Sequence, residues 1–80
     1  MKVLITKDAL IVLENVRKVE RKCYTTNHTS KGVKYSIDHH YITITYIDDK
    51  EERIDCGEDL EGKQKANEIF IDIYKTLSEN

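Results

Sequence analysis

A run of seven residues near the middle of the chain constrains its fold more than any other feature. Every residue from position 41 to position 47 is β-branched or aromatic, and these residue types favour the pleated surface of a sheet. Because side chains alternate along a strand, Ile42, Ile44 and Tyr46 would share one face, and the other face would carry Tyr41, Thr43, Thr45 and Ile47. The segment therefore predicts a β-strand and a fold built on a sheet.

The last part of the chain has a different period. After Lys63 the apolar residues recur every three to four positions, which is the spacing of one helix face, and they are Ala66, Ile69, Phe70, Ile73 and Leu77, with Tyr74 at the edge. The opposite side would carry Lys65, Glu68, Asp72, Lys75 and Glu79. Asp59 is a residue type suited to cap the start of the helix. We expect a helix over about 60–78 that covers one face of the sheet.

Shorter segments with strand character lie on both sides of the central one. They cover residues 2–6, 9–13, 14–22, 33–38 and 53–56, with a turn at Lys7-Asp8, a bend near Asn15 and a hairpin turn at Asp48-Asp49-Lys50. Val16 and Val19 are three apart, which also suits a helix over 14–22, but we favour a strand there. Residues 25–32 are polar and end in a glycine, which predicts a loop, and residues 57–62 predict another. The chain is therefore expected to form one α+β domain over residues 1–80. Its antiparallel sheet would have four to five strands within residues 2–57, packed against one C-terminal helix.

Size and charge leave the oligomeric state and the partner open. A chain of 80 residues buries only about 60% of the surface of its unfolded form, so a homodimer and a monomer are equally compatible with the sequence. Residues 1–34 carry eight basic and three acidic side chains, a charge of +5, whereas residues 35–80 carry five basic and twelve acidic ones, a charge of −7. This asymmetry indicates an electrostatic binding surface unless folding intermixes the two sets.

The sequence predicts a cytoplasmic protein. The apolar residues near its start are interrupted by Lys7 and Asp8, too early for the core of a signal peptide. No apolar run approaches the roughly 18 residues that span a bilayer. Small secreted scaffolds also carry more cysteines than Cys23 and Cys56. We therefore expect no membrane partner and no disulfide.

The reactive side chains do not predict an enzyme. Asp38-His39-His40 has metal-binding residue types, but a filled site needs three or four convergent ligands, and a polar hairpin turn is the alternative interpretation. Cys56 with His39 or His40 has the composition of a nucleophile and a base, although no third group stands out to orient them. A free cysteine is more often a small buried apolar residue. We predict no catalytic residue, no metal and no cofactor.

The expected function is protein binding. Tyrosine is enriched at protein interfaces, and one helix covers only one face of a sheet. An acidic tract follows the central strand, and its charge suits a basic surface on a partner. The predicted partner-binding residues are Tyr41, Thr43, Thr45, Asp48, Asp49, Glu51 and Glu52. Such a module would act as an inhibitor by occupying the surface of an enzyme or nuclease.

Nucleic-acid binding is the alternative function. Arg17, Lys18, Arg21 and Lys22 form a basic cluster suited to a phosphate backbone. On a strand these four side chains would divide between two faces, and Glu20 would reduce the positive charge of one face. The domain as a whole is acidic, which weakens this interpretation.

Four segments follow one another in a suggestive order: Ile5-Thr6-Lys7-Asp8, Leu13-Glu14-Asn15-Val16 with Val19, Tyr41-Ile42-Thr43-Ile44, and the helix from Ala66 to Leu77. This order resembles that of small bacterial pleckstrin-homology-like domains. The resemblance implies a sheet closed by a C-terminal helix and a role in binding peptides or other subunits, and it assigns no binding residue. The chain is also similar in style to small phage and mobile-element proteins of Gram-positive bacteria, many of which block a host protein.

Overall fold

The computed structural model describes residues 3–5 and 10–78. In chain order the elements are β1 (Val3–Ile5), β2 (Leu10–Val12), β3 (Val16–Ser30), β4 (Val33–Tyr46), β5 (Glu51–Glu58) and α1 (Asp59–Ser78). The expected α+β class is confirmed, since five antiparallel strands form sheets of two and three strands and α1 packs on the larger one. The turn predicted at Lys7-Asp8 lies outside the described residues, as do Lys2, Thr6, Ala9 and Glu79.

β4 lies between β3 and β5 in the larger sheet. On one face of the sheet, Val19 of β3 lies opposite Ile44 of β4. On the other face, Thr43 lies between Glu20 of β3 and Arg53 of β5. Because paired residues on neighbouring strands share a side of the sheet, the register assigns each residue to one of two sides. We call the side of Ile44, which α1 covers, the helix side, and the side of Thr43 the outer side.

The core forms between the helix side of the sheet, α1 and the β1–β2 hairpin. Its buried members are Leu4, Ile11, Leu13, Ile42, Ile44, Cys56, Ala66, Ile69 and Ile73. The predicted helix stripe is confirmed, because Phe70 and Leu77 pack against this cluster while Tyr74 is 68% exposed. The hydroxyl of Tyr46 also donates to the Val12 carbonyl oxygen at 2.8 Å, which ties the small hairpin to the larger sheet.

The bend near Asn15 is confirmed. Asn15 has a φ of 59°, a left-handed conformation that asparagine tolerates better than most residues. The pairing of β3 with β4 shifts register between Val16 and Lys18, and Ile47 N–H donates to the Asn15 carbonyl oxygen at 2.9 Å. The bend therefore fixes where β3 begins.

Close packing, and not a loop, explains the glycines around the start of α1. The loop predicted over residues 57–62 is wrong, because β5 continues to Glu58 and α1 begins at Asp59. Gly57 has a φ of 119°, which glycine adopts far more readily than other residues. A Cβ on Gly62 would overlap the Gly57 carbonyl oxygen. The two glycines allow the helix to begin in contact with the strand it follows.

The loop predicted over residues 25–32 is also wrong. β3 and β4 pair without interruption from Cys23 and His40 to Ser30 and Val33. Only Lys31-Gly32 turns, with φ values of 50° and 76°, and two consecutive left-handed residues match the twist of a tight hairpin. The polar residues before the turn therefore stay in the strand. The turn predicted at Asp38-His39-His40 is wrong for a related reason, since β4 continues through it.

The far end of this hairpin projects from the rest of the molecule. β5 ends opposite His39, so residues 25–30 and 33–38 pair only with each other. We call residues 25–38 the arm, and the remaining described residues the body. At about 3.4 Å per residue, six residues of strand span about 20 Å, in a molecule of 54 × 23 × 18 Å. Among the residues that the structure describes, the arm is thus a two-stranded ribbon without a third strand or a helix packed along it.

Candidate protein-binding surface

The outer side of the body sheet is not covered by any described element. The helix α1 and the β1–β2 hairpin both pack on the helix side. The outer side carries residues of all three strands: Lys18, Glu20, Lys22 and Tyr24 of β3, His39, Tyr41, Thr43 and Thr45 of β4, and Glu51, Arg53 and Asp55 of β5. This surface combines tyrosines with charged side chains, a composition common at protein interfaces.

An arginine that lies over two tyrosine rings is near the centre of this surface. The Arg53 guanidinium carbon is 4.1 Å from the ring centroid of Tyr41 and 5.6 Å from that of Tyr24. Its Nε donates to Asp55 Oδ1 at 2.9 Å. The hydrogen bond to Asp55, followed by the one to Tyr24, raises the pKa of Arg53 above its ordinary value. The guanidinium is a permanent cation that lies over two aromatic rings, whose planes are 63° apart.

The aromatic row continues from the body onto the arm. Tyr24 stacks on His39 with ring centroids 4.7 Å apart, and His28 stacks on Tyr35 at 5.2 Å. The Thr26 hydroxyl joins the two stacks, because its Oγ1 lies 2.7 Å from His28 Nε2 and 2.8 Å from His39 Nε2. The outer side is thus one continuous row of rings and polar groups along the hairpin.

Two of the predicted binding residues lie on this side but contribute little accessible surface. Thr43 is 8% and Thr45 is 7% exposed, because each lies on the central strand between long side chains of both neighbours. Thr45 is flanked by Lys18 and Glu51. The hydroxyl of Thr43 is buried and has no hydrogen-bond partner within the described residues. Tyr41, by contrast, is only half-buried.

The acidic residues of the predicted site divide between the two sides and the turn. Asp48 and Asp49 lie in the exposed β4–β5 turn, where Asp49 pairs with Arg17 at 2.8 Å. Glu51 lies on the outer side, opposite Thr45. Glu52 lies on the helix side, where burial, followed by the negative charge of Glu52, raises the pKa of Tyr46. Of these four carboxylates, Glu51 therefore lies on the outer side, and Asp48 and Asp49 lie in the turn at its end.

The predicted basic cluster does not converge on one surface. Arg17 pairs with Asp49, and Lys18 and Lys22 lie 3.0 and 4.0 Å from the carboxylate of Glu20. Arg21 is on the helix side, where it donates to Asn67 Oδ1 and lies over the ring of Phe70. The division of the cluster between two faces is confirmed for Arg21 and the two lysines, and the lysines share an acidic neighbour.

The histidine and cysteine side chains also lie apart. His39 is on the outer side and His40 on the helix side, opposite Cys23. The Cys56 thiol is buried and donates to the Ile54 carbonyl oxygen at 3.5 Å. Burial raises the pKa of Cys56, which favours the thiol over the nucleophilic thiolate. Within the described residues no three His, Cys, Asp or Glu side chains are placed to hold a metal ion.

Comparison of the chain with known protein families, with curated proteins and with solved structures found no match. The resemblance to pleckstrin-homology-like domains and to phage proteins therefore stays a prediction. Among the described residues, no helix is long and apolar enough to cross a membrane.

Sequence reasoning missed the centre of this surface. Tyr24 lies in the strand next to Tyr41, and Arg53 lies in the strand on its other side. Arg53 stands out in the sequence only as one of two basic residues in an acidic tract. The strand register brings the three side chains together, and no local pattern reports that register.

Proposed function

We propose that this chain is a small non-enzymatic protein-binding module that contacts its partner with the outer side of its sheet. The observation that supports this function is the position of Arg53 on the rings of Tyr41 and Tyr24, on a side that no described element covers. Tyrosine and arginine contribute most of the binding energy at many interfaces. Stacking already restricts the Arg53 side chain, so binding costs less conformational entropy there.

The charge beside this centre indicates the chemistry of the partner. Asp48, Asp49 and Glu51 lie at the end of the same sheet, next to the bend at Asn15. A carboxylate-rich rim attracts a positively charged surface and speeds its association. The partner that fits best is a cytoplasmic protein with a basic groove, such as an enzyme or nuclease that binds polyanions. The module would inhibit this partner by occupying the groove, which is the role that the similarity in style to small phage proteins implies.

Two arginines allow a matched test of this function. Arg53 and Arg17 are both exposed, and each is ion-paired with an aspartate at 2.9 and 2.8 Å respectively. Only Arg53 also lies on the two tyrosine rings. The tagged chain and its Arg53→Ala and Arg17→Ala variants would be used to capture proteins from a lysate, after circular dichroism has shown that both variants fold.

We expect that the unmodified chain and Arg17→Ala capture one protein in stoichiometric amount. Arg53→Ala should not capture it. Its retention should weaken as salt is added, because exposed charges are screened. Equal capture by all three chains would refute a role for the Arg53 centre. Capture of nuclease-sensitive material that Arg17→Ala weakens and Arg53→Ala leaves unchanged would favour the alternative function of nucleic-acid binding.

A further inference from the structure

The edge of β3 that faces away from β4 changes its charge where the strand leaves the body. Within the described residues β3 has only β4 as a strand neighbour, so its other edge presents free backbone groups. In its first half the strand carries Arg17, Lys18, Arg21 and Lys22, and basic side chains on an edge strand discourage pairing with another chain. Residues 23–30, Cys-Tyr-Thr-Thr-Asn-His-Thr-Ser, contain no acidic residue, lysine or arginine. The protection against edge pairing therefore stops near the base of the arm.

The other edge of the arm is better protected. At its base the N–H of Asp38 donates to Asp59 Oδ1 at 3.0 Å, so the first residue of α1 ends the exposed edge of β4. Lys34 adds a charge farther along the same strand. A strand added to the edge of β4 would therefore meet the charge of Lys34 and the N–H of Asp38, which is already hydrogen-bonded. A strand added to residues 23–30 of β3 would meet no lysine, arginine or carboxylate.

The arm also lacks the contacts that stabilise a sheet. An isolated two-stranded hairpin is at best marginally stable in water, and three or more strands with an apolar face are needed for independent stability. The apolar side chains of the arm are also uncovered, since Val33 is 65% and Tyr35 is 46% exposed. Additional strands at the β3 edge would provide the missing neighbours.

We propose that a second copy of this chain provides them, through antiparallel pairing of residues 24–30 with the same residues of its partner, in a register that sets Asn27 opposite itself. The two arms would form a four-stranded sheet, and the two bodies would continue it at each end. A second copy is the occupant that this edge suits, because self-pairing places a segment opposite itself. No register within residues 23–30 sets two lysine, arginine or carboxylate side chains against each other, whereas self-pairing of residues 17–22 would oppose like charges.

This arrangement goes beyond the proposed binding function and has a consequence for it. An antiparallel pair of identical edges is related by a two-fold axis perpendicular to the sheet, so the outer sides of both copies face the same direction. The two Arg53 centres would then lie on one side of a continuous sheet. A partner with two suitable sites would bind with higher avidity than a single module allows.

The cross-strand pair Asn27 and Ser36 provides a matched test. The two residues are exposed, lie opposite each other and share one hydrogen bond, from Ser36 Oγ to Asn27 Oδ1 at 2.9 Å. Asn27→Lys and Ser36→Lys therefore lose the same bond and gain the same charge, but only Asn27 is on the β3 edge. Light scattering and sedimentation equilibrium over a wide concentration range would measure the dimer dissociation constant of the three proteins, with circular dichroism to check folding.

The expected result is a dimer of the unmodified chain whose dissociation constant Asn27→Lys raises by at least about tenfold, because like charges meet across the new strand pair. Ser36→Lys should change it much less, since Ser36 lies one strand away from the contact. A monomer at all concentrations, equal weakening by both variants, or a dimer that neither variant weakens would overturn the proposal. Arg53→Ala should leave the dimer intact, so failure of the binding function and failure of the dimer are separable.

Discussion

The two halves of the β3–β4 hairpin share one continuous ladder of pairs but differ in what lies on them. In the body half, Ile42 and Ile44 are completely buried beneath α1. In the arm half, on the same strand, Val33 is 65% exposed. The comparison shows that strand propensity and a tight turn are sufficient to extend a hairpin, whereas a core requires a second layer. The arm therefore has the shape of a sheet but little of its burial.

The largest expected effect compares the same deletion in both halves. Ile44→Ala should lower the free energy of unfolding by about 2–5 kcal/mol, because it leaves a cavity in a closed core. Ile37→Ala, on the same strand but at a half-buried position of the arm, should cost about 1 kcal/mol, since less apolar surface is lost. Urea unfolding followed by circular dichroism would measure both. Equal losses would show that the arm is packed as closely as the body.

Two glycines give the next comparison. Gly62→Ala should destabilise the protein by about 2–3 kcal/mol, because its Cβ would meet backbone atoms of Gly57 that cannot move aside. Gly32→Ala in the arm turn should cost only about 1 kcal/mol, the strain of a left-handed alanine, since a Cβ there meets nothing within 4 Å. Thermal unfolding of the two variants would rank them. A Gly32→Ala variant less stable than Gly62→Ala would show that the turn, and not the body, limits stability.

A smaller effect should be confined to the arm. Thr26→Val keeps the shape and strand propensity of the side chain but removes the hydroxyl between His28 and His39, at a cost of about 1 kcal/mol. Amide hydrogen exchange should then speed up in the arm and stay unchanged in the body. Thr29→Val is the control, because no side-chain hydrogen bond of Thr29 is present among the described residues. Faster exchange throughout the chain would mean that the arm and the body unfold as one unit.

The mildest test leaves the sequence unchanged and compares the two thiols. Cys23 is exposed at the base of the arm and Cys56 is buried in the body. Because burial raises the pKa of Cys56, the folded chain binds the thiol proton more tightly than the unfolded chain. A thiol reagent should therefore label Cys23 alone in the native protein, and stability should fall as the pH rises past the ordinary thiol pKa. Mass spectrometry would locate the label. Rapid labelling of Cys56 would contradict a closed body.

The predicted binding surface could be obtained from the sequence only in part. Alternation along residues 41–47 places Tyr41, Thr43 and Thr45 on one side, and the structure agrees. Their exposure does not follow from alternation, because the side chains of both neighbouring strands bury the two threonines. Alternation of residues 51 and 52 also separates Glu51 from Glu52, which the acidic tract alone does not show.

The sequence by itself determined the features that depend on neighbouring residues. These features are the strand character of residues 41–47, the bend at Asn15 and the apolar stripe of α1. Each is encoded by residues that are close together in the sequence. The tertiary structure alone decided the length of the arm, the meeting of Arg53 with Tyr24 and Tyr41, and the contact of Gly57 with Gly62. These features depend on strand register and on helix docking, which are set by pairing between residues distant in the chain. A polar strand and a polar loop have the same local composition, and only the pairing partner and the turn distinguish them.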